Sequence, residues 1–335
     1  MASIVIRSDE ANAVTTALLL AARNHSVCLL NSSVAAGDHQ FSYFGEHRTV
    51  RLFREAEMDV QAPRVGIVFA EGESVQPGVR SVLGSGRPDL LVIVGGGISG
   101  AVEAAETARD LDFEASRILL VGGFLAGGSA DSVTVEKQGV LAGFLATGTP
   151  SQVLDLARET FPQVSIDDGA SVALSSVNAL IHVPPMILNA MSIERGDDVR
   201  FYVEGFGDSV CRLIAALDAD RLVLGAAVGS VLLPLEELLD RYNGPAGMQG
   251  QTLREKVNGF LPYHSVKVPS SFRHRFLDHE LRSTFAPMAE LASAVGVNVP
   301  TIRSIVRLGE VLLDTDLTSE SRLVARKFHA LTTAN

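Results

Sequence analysis

Residues 90–111 read LLVIVGGGISGAVEAAETARDL. Leu90–Val94 is an unbroken apolar run. Three glycines follow, and apolar positions then recur at helical spacing over Ala101–Leu111. A strand that is apolar at every position is covered on both faces, which is the setting of a parallel sheet. The same rhythm extends in both directions. Strands are expected at Ser3–Ile6, Val27–Leu30, Arg64–Ala70, Arg117–Val121, Val140–Leu145 and Gln163–Ile166, with a helix at Val14–Arg23. Short apolar strands alternating with helices predict a doubly wound, Rossmann-like α/β domain.

From about Ser171 the strand-like runs give way to helical patterns at Val210–Leu217, Arg221–Leu239, Phe285–Val295 and Thr301–Leu313. Tyr242–Val268, rich in Gly, Pro and polar residues, reads as a long loop or lid. The chain is therefore expected to divide into a Rossmann-like domain, 1–169, and a mainly α-helical domain, 170–335.

The 335 residues carry a net charge of -11 and no Lys/Arg-rich run, which argues against nucleic acid or an anionic membrane as partner. Cys28 and Cys211 have no CxxC partner, so they read as two small buried thiols. The first residues, MASIVIRSDE, hold acids and no apolar signal core, and no apolar stretch is read as reaching the ~18 residues that cross a bilayer. The cytoplasm is the expected compartment.

Residues 175–194, SSVNALIHVPPMILNAMSIE, place Asn178 and His182 four apart, on one face of a helix. Pro184 and Pro185 are expected to end or kink that helix just after the histidine. On spacing alone, a satisfied core histidine is the better reading, and one His with no second ligand at metal spacing argues against a metal. FYVEG at 201–205, LDADR at 217–221, Tyr242 and RFLDHELRSTFAP at 275–287 then follow in order.

Taken together these segments resemble the octopine/nopaline (opine) dehydrogenases. The family's Asn-x-x-x-His-Pro…Asn segment falls on Asn178, His182 and Asn189, with Pro184 one place later than the family's proline. Phe201, Tyr202, Glu204 and Gly205 match its Phe-Tyr-x-Glu-Gly. Leu217, Asp218 and Arg221 match its Leu-Asp-x-x-Arg. Arg275, His279, Glu280, Phe285 and Pro287 sit at the offsets of its later Arg, acidic pair, Leu and Pro. The resemblance implies that His182 moves the proton at the reacting centre, and that Asn178 belongs to the same catalytic group. Glu280 stands where the family has an orienting Asp. A carboxylate beside an imidazole raises its pKa and fixes its tautomer. Arg275, with Arg273 nearby, and Asn189 become candidates for binding a substrate carboxylate. Tyr202 and Glu204 read as structural.

A dinucleotide enzyme of this family opens with strand, GxGxxG, helix. Here Ser8, Glu10 and Ala13 occupy the glycine places, and Asn31, Ser32 and Ser33 stand where a ribose-binding acid is expected. Glu10 sets a negative charge against the pyrophosphate, at a cost on the order of 1–4 kcal/mol per charge pair near 4 Å. The GGGISG run at 95–100 fits the fingerprint but lies on a later strand. It reads as an anion-tolerant loop at a helix N-terminus. The candidate cofactor contacts are thus Ser8, Ala11, Gly95, Gly96 and Gly97, for NADP or NAD.

The resemblance implies NAD(P)H-dependent reduction of an imine formed from an amino acid and an α-keto acid. Two alternatives stay open. The protein could have lost redox chemistry and keep His182 and Glu280 for cyclisation, condensation or dehydration, or it could be a non-catalytic binding protein. The expected partner is a small molecule derived from an amino acid or carboxylate. Assembly as a homodimer is left open.

Overall fold

The computed structural model describes residues 1–7, 11–30, 34–58, 64–70 and 74–333. Among these, the strands form one sheet: β1 (Ser3–Arg7), β2 (Ser26–Leu30), β3 (Gly37–Tyr43), β4 (Glu46–Leu52), β5 (Arg64–Ala70), β6 (Leu90–Gly95), β7 (Ile118–Val121), β8 (Ala126–Ser129), β9 (Ser132–Glu136), β10 (Val140–Phe144) and β11 (Val164–Asp168). Their order is β11-β10-β7-β6-β5-β1-β2-β4-β3-β9-β8. The central five, β7 to β2, pair in parallel, and β10 joins β7 antiparallel. Helices α1 (Ala11–Ala22), α2 (Gln76–Gly84), α3 (Gly97–Asp110) and α4 (Ser151–Thr160) alternate with them.

Two hairpins extend the sheet beyond the expected strands. β3 and β4 turn through Phe44 and Gly45, whose φ of 50° and 85° suit a tight hairpin. Both strands carry mostly polar side chains, half-buried or exposed in β3 and mainly exposed in β4, so they lack the apolar run by which the inner strands were read. β8 and β9 form the second hairpin. Ala126 and Val133 pack with Val14, Leu18 and Leu19 of α1.

No strand follows Asp168 among the described residues, where α5 (Gly169–Leu174) begins with the Asp168 carboxylate accepting from Ser171 N at 2.7 Å. Then come α6 (Val177–Leu188), α7 (Ala190–Arg195), α8 (Asp208–Ala227), α9 (Leu235–Asn243), α10 (Leu253–Gly259), α11 (Asp278–Glu280), α12 (Ala286–Ala294), α13 (Pro300–Leu313) and α14 (Leu317–Thr333). A π turn, Leu281–Phe285, joins α11 to α12. One apolar core runs through both halves, from Ile4 and Val92 to Leu180, Phe285 and Phe328. The unforeseen α14 packs back on α3, with Lys327 paired to Glu106 at 2.7 Å.

Several expectations are corrected. The helix carrying His182 does not end at the prolines: α6 continues through Pro184 and Pro185 to Leu188, and Asn189 N still donates to Pro185 O. Burial of every residue from Ala179 to Met186 outweighs the lost backbone bonds. The expected break near Asp218 is absent. α8 runs unbroken because Asp218 and Arg221 pair inside the protein, and the chain turns instead at Gly229–Pro234. Tyr242–Val268 is not one long loop, since it contains α10, started by a Thr252/Glu255 capping box. Residues 169–188 prove long and apolar enough to cross a membrane, contrary to the sequence reading. They form α5 and α6, 78% of the apolar window is buried in this fold, and they read as core.

Candidate active site

α6 projects His182 into the protein, where it is 3% exposed. Nδ1 lies 3.0 Å from Glu280 Oε1, and Nε2 lies 2.7 Å from the Tyr202 hydroxyl. The imidazole stacks on Phe276, with ring centroids 3.9 Å apart. Tyr202 in turn stacks on Tyr263 at 4.2 Å. The three polar groups form one line, Glu280–His182–Tyr202, walled by aromatic rings.

Burial sets the protonation of this line. It pushes the Glu280 carboxyl up to about 7, against the opposing charges of His279 and Arg275. Contrary to the rise expected from a neighbouring carboxylate, it also lowers His182 well below the ordinary imidazole value, helped by the positive Arg275 and Lys137. Burial, then Tyr263, raises the Tyr202 phenol well above its usual range, so the hydroxyl stays protonated. Both members of the His–Glu pair are driven towards neutrality, and the 3.0 Å contact requires one proton between Nδ1 and Oε1. Tyr202, read as structural from the sequence, is thus a direct partner of the histidine. Only its place in FYVEG hinted at this.

His182 and Tyr202 both face a cavity of about 520 Å³. It is also lined by Asn178, Lys137, Asn243, Arg275 and, on the β8–β9 hairpin, Ser129, Ser132 and Thr134. The cavity reaches Asn12 in the first turn of α1. Asn178 and Arg275 are therefore brought together with His182, and the Arg275 guanidinium sits 5.3 Å from the Phe276 ring centre. Lys137, Asn243 and the hairpin residues were missed, because nothing in their local sequence marks them.

Other candidates lie elsewhere. Asn189 does not line this cavity: its amide donates to the carbonyls of Pro185 and Gly205 at 2.8 Å each, tying α6 to the 201–205 turn. Its expected substrate role is replaced by a structural one. Arg273 donates to Leu313 O at 2.8 Å, at the end of α13. Ser8, Glu10, Asn31, Ser32 and Ser33 lie outside the described residues, and Ala11 is described only as the start of α1.

The glycine run lies apart from the His182 cavity lining. Gly96 lines a separate cavity of about 360 Å³ with Glu103, His279 and Arg282. Gly97 has φ +52°, and a Cβ there would lie 2.4 Å from Thr284 Oγ1 and 2.7 Å from Ser283 O. At Gly97 the run makes room for the helical half, while a Cβ at Gly96 would lie 2.6 Å from Ala70 Cβ of β5. Gly97→Ala is accordingly expected to cost about 2–4 kcal/mol in a urea titration, from the strained φ plus overpacking. Unchanged stability with weakened NAD(P)H binding would instead return the run to the phosphates.

Residues 166–313 match the alpha-helical domain of the NAD/NADP octopine/nopaline dehydrogenases. The helical half is similar to this family's alpha-helical domain. An opine dehydrogenase of Arthrobacter sp. (strain 1C) is 29% identical over 174 residues, 52% of this chain and 48% of the relative. Vitopine synthase of Allorhizobium ampelinum is 27% identical over 47% and 43% respectively. The matched sequence thus spans about half the length of these curated relatives. The fold likeness is wider. Octopine dehydrogenase solved with NADH and L-arginine superposes with a TM-score of 0.72 at 13% identity, covering 100% of this chain and 98% of the other. Yersinopine dehydrogenase with NADP+ gives 0.70 at 13% identity over 98% and 99%. The fold likeness thus extends over the sheet and the helices alike. Among the described residues, no group of three or more His, Cys, Asp or Glu side chains could hold a metal.

Proposed function

We propose that this protein is an opine-dehydrogenase-like oxidoreductase, which uses NAD(P)H to reduce the imine formed between an amino acid and a 2-keto acid. The observation that carries the reading is His182, held between Glu280 and Tyr202 on the wall of a cavity that reaches the first turn of α1. The proposal divides the chain near Gly169 into a cofactor-holding domain and a catalytic one, and places it in the cytoplasm.

The cavity suits a dinucleotide. No carboxylate lines it among the described residues, while Lys137 offers an ammonium and Ser129, Ser132 and Thr134 offer hydroxyls for phosphate or ribose. Reduced nicotinamide, when bound, supplies the hydride that the imine carbon accepts. The chain's own residues handle the proton. As the C=N bond is reduced to CH–NH, the nitrogen must gain one proton, and the Tyr202 hydroxyl is the group between His182 Nε2 and the cavity. The hydroxyl proton passes to the nitrogen, Nε2–H returns one to the phenol oxygen, and the Glu280 carboxyl passes its own to Nδ1, leaving a carboxylate that takes up a proton from solvent before the next turnover. Glu280 holds the ring in orientation through Nδ1 and takes part of the charge change. Arg275 faces the substrate carboxylates, and Phe260, Tyr263 and Phe276 exclude water from the line.

The test is to incubate the protein with NADH or NADPH, pyruvate and each common L-amino acid. Loss of reduced-nicotinamide absorbance should accompany a secondary-amine dicarboxylate detected by mass. Folded protein that consumes neither cofactor with any pair would end this reading.

A further inference from the structure

Asn243, the last residue of α9, is 1% exposed and lines the His182 cavity. Neither Nδ2 nor Oδ1 of its side chain has a hydrogen-bond partner among the described residues. A buried amide with both ends unmade is rare and costly in a folded protein, and it calls for an explanation. The position is firmly held. Its neighbour Tyr242 accepts a hydrogen bond from Leu141 N at 3.1 Å, pinning the end of α9 to β10.

The charge of the cavity narrows what this amide can meet. Lys137 and Arg275 line it, and no Asp or Glu does among the described residues. A cationic side chain would be desolvated there beside two like charges, with no counter-charge among the described lining residues. A carboxylate would engage Nδ2 and leave Oδ1 unmet, and an aliphatic side chain would leave both unmet. A primary carboxamide presents a donor and an acceptor side by side, and pairs reciprocally with Asn243 through two hydrogen bonds.

We propose that Asn243 selects the amino substrate, and that the residue it selects is an amino acid with an uncharged, carboxamide-bearing side chain. The inference rests on the reading above that this cavity takes an amino acid. Binding rather than turnover tests it, so the two can fail separately.

Calorimetric titration of the full chain, with and without NADPH, would compare L-glutamine, L-asparagine, L-leucine, L-glutamate and L-arginine. Glutamine or asparagine is expected to bind most tightly and arginine least. Asn243→Leu should weaken carboxamide binding roughly tenfold to a hundredfold, to the level of leucine, since two hydrogen bonds are lost. Asn243→Asp keeps the size but replaces the donor with a charge, so it should lose glutamine and gain arginine. Thermal melts would establish that both variants fold. Arginine binding the wild type as tightly as glutamine would overturn the proposal, as would Asn243→Leu with unchanged affinity, or a wild type that binds none of the five. Carboxamide binding that Asn243→Leu weakens, without any NAD(P)H consumption, would support the selector role while ending the dehydrogenase reading.

Discussion

His182→Ala is expected to lower NAD(P)H turnover by roughly 10²–10⁴-fold, the range that a positioned acid–base group contributes. The reason is geometric. His182 touches both Glu280 and Tyr202, and no other described residue bonds to both. The fold should survive. Burial already pushes the Glu280 carboxyl up to about 7, so without its partner it can take up a proton near neutral pH rather than leave a full buried charge. The remaining cost is the lost stacking on Phe276 and a small cavity, about 1–3 kcal/mol. Steady-state rates alongside circular dichroism check both halves of the expectation. Activity within a few-fold of wild type, in a folded variant, would remove His182 from the mechanism.

Arg221→Ala is expected to be the most damaging single change to stability, at about 3–5 kcal/mol. Arg221 is fully buried. Its Nε donates to Asp218 Oδ1 at 2.8 Å, Nη1 donates to Ser175 Oγ at 3.3 Å, and Nη2 donates to Leu233 O. Asp218 Oδ2 accepts from Leu235 N at 2.9 Å, at the start of α9. One guanidinium therefore joins α8, the junction between α5 and α6, and the turn that leads into α9. Truncating it leaves the buried Asp218 charge uncompensated, which costs more than the pair contributes. The replacement of Arg221 by Met together with Asp218 by Leu should recover much of the loss. Urea unfolding measures it, and a loss below about 1 kcal/mol for Arg221→Ala would contradict the stitching role. Because α9 ends in Tyr242 and Asn243, the variant should also bind substrate more weakly.

Two kinds of feature separate in this protein. Leu90–Val94, Arg64–Ala70 and Ile4–Ile6 were legible because a strand covered on both faces must be apolar at each position, and that is a local property. The change to helices after Asp168 was legible for the same reason, through a change of period. The β3–β4 hairpin was not, since its residues are polar and its pairing partner, not its composition, makes it a strand. Pro184 and Pro185 misled the reading because a local steric penalty was outweighed by burial on every side of α6.

The site divides in the same way. His182 and Glu280 stand 98 residues apart, and only the resemblance to a family placed them together. Local spacing contains nothing about such a contact. That the Tyr202 hydroxyl caps Nε2, that Gly97 makes room for Thr284, and that Asn243 is buried with its amide unmet among the described residues are all results of packing between segments distant in sequence. Side-chain direction and burial arise only when α6, α9 and the 201–205 turn close around one cavity, and the sum of those contacts, not any local pattern, decides them.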